Sequence, residues 1–89
     1  MDRGIQKDGA FYLATLRLVT ALRMQGKNEL GEKAARQMLA MYPSDVSFLA
    51  ELASIEVAQG NESTALQLCR RIKMLDPDNA TAAYYLGDE

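Results

Sequence analysis

Histidine is absent from this 89-residue chain, and cysteine occurs once, as Cys69. The first absence removes every catalytic triad built on a histidine base. The second removes an intramolecular disulfide, and with no histidine beside the cysteine a Cys/His zinc site has no ligand set. An unpaired cysteine suits a reducing compartment, so a cytoplasmic location is the expectation. Long apolar runs are missing too. The most apolar stretch, residues 11–24, is short of the roughly 20 residues a membrane span needs, and it contains Arg17 and Arg23. Membrane insertion is therefore not expected. The start, Met1-Asp2-Arg3-Gly4, lacks the basic-then-apolar pattern of a signal segment.

Other chemistries are missing by spacing. Gly26, Gly31 and Gly60 are too scattered to cradle a phosphate. Asp76 and Asp78 flank Pro77, where capping explains them better than acid–base work. The densest basic cluster, Arg70-Arg71-x-Lys73, reads as a solvated helix end. Nucleic acid would need a wider basic face, and the net charge is −2. Cys69 lies on the apolar side of its segment, as a small core filler. No catalytic residue, cofactor or metal is expected, and the chain is not read as an enzyme.

What is present is a period. Gln25-Gly26 recurs as Gln59-Gly60, Pro43 as Pro77, and Leu18 as Leu52 and again as Leu86, all at a spacing of 34 residues. Glycine just past a helix and proline shortly after a helix end both have backbone reasons, so these matches mark repeated chain reversals. A fixed period of this length signals stacked repeats. Between the stops, Ala, Leu, Glu, Lys, Gln, Arg and Met dominate, which favours helix over strand.

The punctuation predicts five helices: about Ala10–Gln25, Glu29–Met41 capped by Asn28, Val46–Gln59 capped by Ser44 or Asp45, Glu62–Leu75 capped by Asn61, and a short last one after Asp78 or Asn79. Residues 1–9 read as a flexible N-terminus. Short connections make neighbouring helices antiparallel. Ala65, Leu68, Cys69 and Ile72 keep a helical apolar spacing, and Gly31 and Ala65 are small where two helices must approach closely. Glu56 interrupts the equivalent pattern of Leu49, Leu52 and Ala53. A surface position, or a pair with a base such as Arg23, would accommodate it. Charge is uneven: residues 1–45 carry seven basic and five acidic side chains, a balance of +2, and residues 46–89 carry three and seven, a balance of −4.

With Leu52-Ala53, Gly60, Ala65 and Asp76-Pro77-Asp78-Asn79-Ala80 in the second unit, and Leu18-Val19, Gly26, Gly31 and Pro43 in the first, the chain resembles the tetratricopeptide repeat family. The resemblance implies an all-α, right-handed solenoid of about two and a half repeats, 12–45, 46–79 and a partial 80–89, forming a single domain. It also implies a concave groove lined by the first helix of each repeat. Carried over by position, the groove residues are Leu13, Leu16, Thr20, Arg23, Ser47, Ala50, Ser54 and Val57, then Thr81, Tyr84 and Tyr85. Members that grip a terminal carboxylate carry Lys, Arg and Asn where this chain has Leu16, Thr20, Ala50 and Ser54, so that clamp is not expected. The groove would be apolar with hydroxyls, suited to a helix or an extended apolar peptide. These side chains would equally serve to complete a small core.

The function expected is a non-enzymatic module for a protein or peptide partner. A small helical chaperone of a bacterial secretion or pilus subunit is the alternative within this fold, and a self-associating unit or a fragment of a longer array is another. Phe11, Tyr12, Leu13, Leu16, Leu18, Val19 and Leu22 go most of the way round the first helix, and the last carries Ala82, Ala83, Tyr84, Tyr85 and Leu86. Association through one of these ends, with Tyr84 and Leu86 as anchors, is the expectation.

Overall fold

The computed structural model describes residues 9–87. Five α-helices fill them, with no strand among the described residues: α1 (Gly9–Met24), α2 (Asn28–Met41), α3 (Val46–Ala58), α4 (Glu62–Leu75) and α5 (Ala80–Leu86). The expected flexible segment 1–9 lies outside the described residues except for Gly9, which opens α1; residues 88–89 of the partial third unit lie outside them too.

The 34-residue period is visible in the backbone. Gly26 and Gly60 adopt φ of 78° and 84°, a left-handed conformation open to glycine without steric cost. At the first turn Lys27 N–H donates to Leu22 O at 2.8 Å and Gly26 N–H to Arg23 O at 3.0 Å. At the second, Asn61 N–H donates to Glu56 O and Gly60 N–H to Val57 O at the same two distances. Both satisfy carbonyls that a helix end would otherwise leave bare. After α2 and α4 the chain reverses again, with Asp45 N–H bonded to Tyr42 O and Asn79 N–H to Asp76 O. Asp45 and Asn79 then cap the following helices, accepting from Phe48 N–H and Ala82 N–H.

Two expectations about caps and charges need correction. Asn28 is not the cap of α2: the cap is Lys27, whose N–H already closes the preceding turn, and α2 starts at Asn28 itself. No side chain caps α2, and Asn28 Oδ1 is buried without a hydrogen-bond donor. Glu56 is neither at the surface nor paired with Arg23. It is 1% exposed and takes Arg36 Nη2 at 3.0 Å and Asn61 Nδ2 at 2.8 Å.

Two apolar clusters run through the array. Val19, Ala35, Met38, Phe48, Leu52 and Ile55 join α1, α2 and α3. Leu49, Ala53, Cys69, Ile72, Ala82 and Leu86 join α3, α4 and α5. Gly31 lets α2 close on its neighbours: a Cβ there would sit 3.1 Å from Ile55 Cδ1. Ala65, its counterpart 34 residues on, is 1% exposed. Cys69 is fully buried, and that burial pushes its thiol pKa up.

Candidate functional surface

Alternate helices meet side by side. Thr20 Oγ1 on α1 lies 3.0 Å from Glu51 Oε2 on α3 and 3.0 Å from Leu16 O. Arg23 Nε donates to Glu51 Oε1 at 2.7 Å. One period later, Tyr85 on α5 stands to Ser54 on α3 as Glu51 stands to Thr20, with its hydroxyl 3.5 Å from Ser54 Oγ. The contact thus recurs at the sequence period, once between α1 and α3 and once between α3 and α5.

Of the residues read from the sequence, Thr20, Arg23, Ser54 and Tyr85 are joined by these bonds. Leu13, 49% exposed, and Ser47 stand free of the core on α1 and α3. Leu16 is half-buried against the first cluster and Ala50 against the second. Thr81 is half-buried, and Tyr84 is 79% exposed with its ring edge-on to Tyr85 at 5.1 Å. Val57 and Tyr85 line a pocket of about 240 Å³ with Glu62, Ala65 and Leu66. Leu86, expected to anchor a partner, is 7% exposed and belongs to the second cluster.

The residue that sequence reasoning missed is Glu51. It pairs with Arg23 and so puts an ion pair into a groove expected to be apolar with hydroxyls. Its period equivalents are Arg17 and Tyr85, so the family pattern offered no signal. The signal available was a carboxylate beside Ala50 and a base, Arg23, without an acid on its own helix.

A second polar set locks the units together behind this surface. Glu32 accepts from Gln59 Nε2 and Arg36 Nε, both at 2.8 Å, and Arg36 continues to Glu56. The Gln59 and Arg36 hydrogen bonds hold the Glu32 carboxyl below its ordinary range, and Glu32 in turn raises the Arg36 pKa.

No family model matches the chain, and no solved structure matches it. It is similar to cellulose synthase 1 operon protein C of Komagataeibacter xylinus, with 36% identity over 67 residues. Those residues are 75% of this chain and 5% of that protein, so the chain spans a small fraction of the relative's length.

Among the described residues no group of three or more His, Cys, Asp or Glu is disposed to hold a metal ion. None of their helices is long and apolar enough to cross a membrane. What the surface offers is shape and mixed polarity: exposed Leu13 and Tyr84 at its two ends and the Arg23–Glu51 pair between the helices. Both partners of that pair keep some solvent exposure, so a ligand can exchange hydrogen bonds with it.

Proposed function

We propose that the chain is a non-enzymatic protein-interaction module of the tetratricopeptide type, which binds a peptide or helix along α1, α3 and α5. The observation that supports this is the contact pattern Thr20–Glu51 and Ser54–Tyr85, repeated at the sequence period. It aligns alternate helices into one continuous face, the arrangement by which repeat proteins present an extended ligand surface. The ligand expected is amphipathic, with apolar groups for Leu13 and Tyr84 and a polar group that competes for Arg23 or Glu51. The small share of the relative that is matched favours a second reading, a unit that works within a longer array.

Photo-crosslinking tests the face. A photoreactive residue at Leu13, Ser47 or Tyr84 should capture the same partner in cells of the source organism. One at Gln37, exposed on α2, should not. Capture from Gln37 alone would reject the reading. A single abundant client would point to a chaperone, and several clients to a scaffold.

A further inference from the structure

We propose that the seam between α2 and α4 is a second binding site, which takes a peptide through one leucine-sized side chain with a carboxylate beside it. Three interior helices build the site. Leu49 and Leu52 of α3 form the floor, each 1% exposed. Leu39 of α2 and Leu68 of α4 stand at its sides, half-buried and packed against both apolar clusters. The space between them is a pocket of about 250 Å³. It stays open because small Ala40 forms part of the wall. One period later the same position is Met74, whose longer side chain would fill such a space.

Size and charge choose the occupant. Sites for small molecules usually run from about 300 to 1,000 Å³, so this one suits a single side chain. Its leucine lining asks for an aliphatic one. Arg36 and Arg71 stand at the same pocket, one from each helix. They differ in what they have left to give. Arg36 spends Nε on Glu32 and Nη2 on Glu56. Arg71 is exposed, and its guanidinium makes no hydrogen bond or ion pair among the described residues. An unpaired guanidinium beside an apolar pocket is complementary to a carboxylate next to an aliphatic side chain, which it can grip through two parallel hydrogen bonds. Nucleic acid fits less well, because the pocket offers no aromatic ring for a base to stack on. The site is independent of the α1–α3–α5 face, since no residue assigned to that face lines it.

A fluorescent peptide with one leucine between two glutamates tests this, titrated into the intact chain and read by anisotropy. It should bind, and amide NMR shifts should concentrate at Ala40, Leu68 and Arg71 and spare Ser47 and Tyr84. Changing the peptide's glutamates to glutamine should weaken binding about tenfold, the scale of a charged hydrogen bond. Arg71→Gln, which installs the residue found one period earlier at Gln37, should weaken it equally with an unchanged helical spectrum. Arg17→Gln, exposed on α1, should bind like the parent. Ala40→Met should fill the pocket and abolish binding. Arg71→Glu should reverse the preference, taking a peptide with lysines in place of the glutamates better than the original. No binding by the parent overturns the inference. So do shifts centred on Ser47 and Tyr84, which would put the peptide on the α1–α3–α5 face, equal losses in Arg17→Gln and Arg71→Gln, or an Arg71→Glu chain that keeps the parent's preference.

Discussion

Arg36 reaches from α2 across the boundary between the two repeats and holds the buried Glu56 carboxylate of α3 at 3.0 Å. The guanidinium itself stays half in solvent, 53% exposed. The acid is desolvated and the base is not, so the two ends of this pair are not equivalent to mutation.

Removing Arg36 takes the cation away from the buried Glu56 carboxylate and leaves it the hydrogen bond from Asn61. Arg36→Ala should cost about 1–3 kcal/mol, the range for a buried polar group that loses a partner. Glu56→Leu, which installs the residue found one period earlier at Leu22, should cost less than Arg36→Ala, because a buried ion pair is often replaceable by an apolar group. Urea unfolding compares the two. A larger loss for Glu56→Leu would show that the pair holds the repeats together by more than mutual neutralisation.

The two glycine turns should respond alike. Nothing lies within 4 Å of a Cβ at Gly26 or Gly60, so Ala there meets no clash. Only the positive φ opposes it, at about 1–2 kcal/mol. Gly26→Ala and Gly60→Ala should each lower stability by that amount in thermal or urea unfolding. Clearly unequal losses would mean that the turns are not the same device.

Stability should fall in acid partly through Glu32. Its folded pKa lies below the ordinary 4.5 because Gln59 and Arg36 hydrogen-bond the charged form. Such a group contributes stability that is full above the unfolded pKa and is lost as pH falls through the folded one. Melting temperature should therefore drop from pH 5 toward pH 3, and Glu32→Gln should flatten that drop. An unchanged slope in the variant would show that Glu32 is not linked to folding.

Cys69 should be silent until the chain unfolds. It is fully buried and burial raises its thiol pKa, so both access and thiolate fraction are low. A thiol reagent at neutral pH should label it slowly in buffer and at once in denaturant. Fast labelling of the native chain would place α4 in a different rotation.

The helices were legible because their stops are local. Glycine and proline act on their own backbone, and Gly26, Gly60, Pro43 and Pro77 marked the turns within a residue or two. The core face of α4 was legible for a similar reason, since Ala65, Cys69 and Ile72 carry their burial in their spacing. Asn28 misled because Asn is a good cap in isolation, while the glycine turn before it had already made Lys27 the cap. Glu51 and Glu56 were illegible for a physical reason. The partners Thr20 and Arg23 of Glu51 and the cation Arg36 of Glu56 lie 20 to 31 residues away on other helices, and no helical spacing predicts a pair that only tertiary packing creates. The line of α1, α3 and α5 could be expected from the resemblance, but the ion pair within it could not.

Helix α3 has a side in each apolar cluster: Phe48, Leu52 and Ile55 in one, Leu49 and Ala53 in the other. Stacked repeats often behave as chains of nearest neighbours, free to melt from one end like a row of separate units. Here the middle member is common to both halves. Melting α1 and α2 strips one side of α3 bare, and melting α4 and α5 strips the other. Either loss removes support from the remaining pair. The array therefore has no stable half, and heat should disassemble it in a single transition instead of unit by unit.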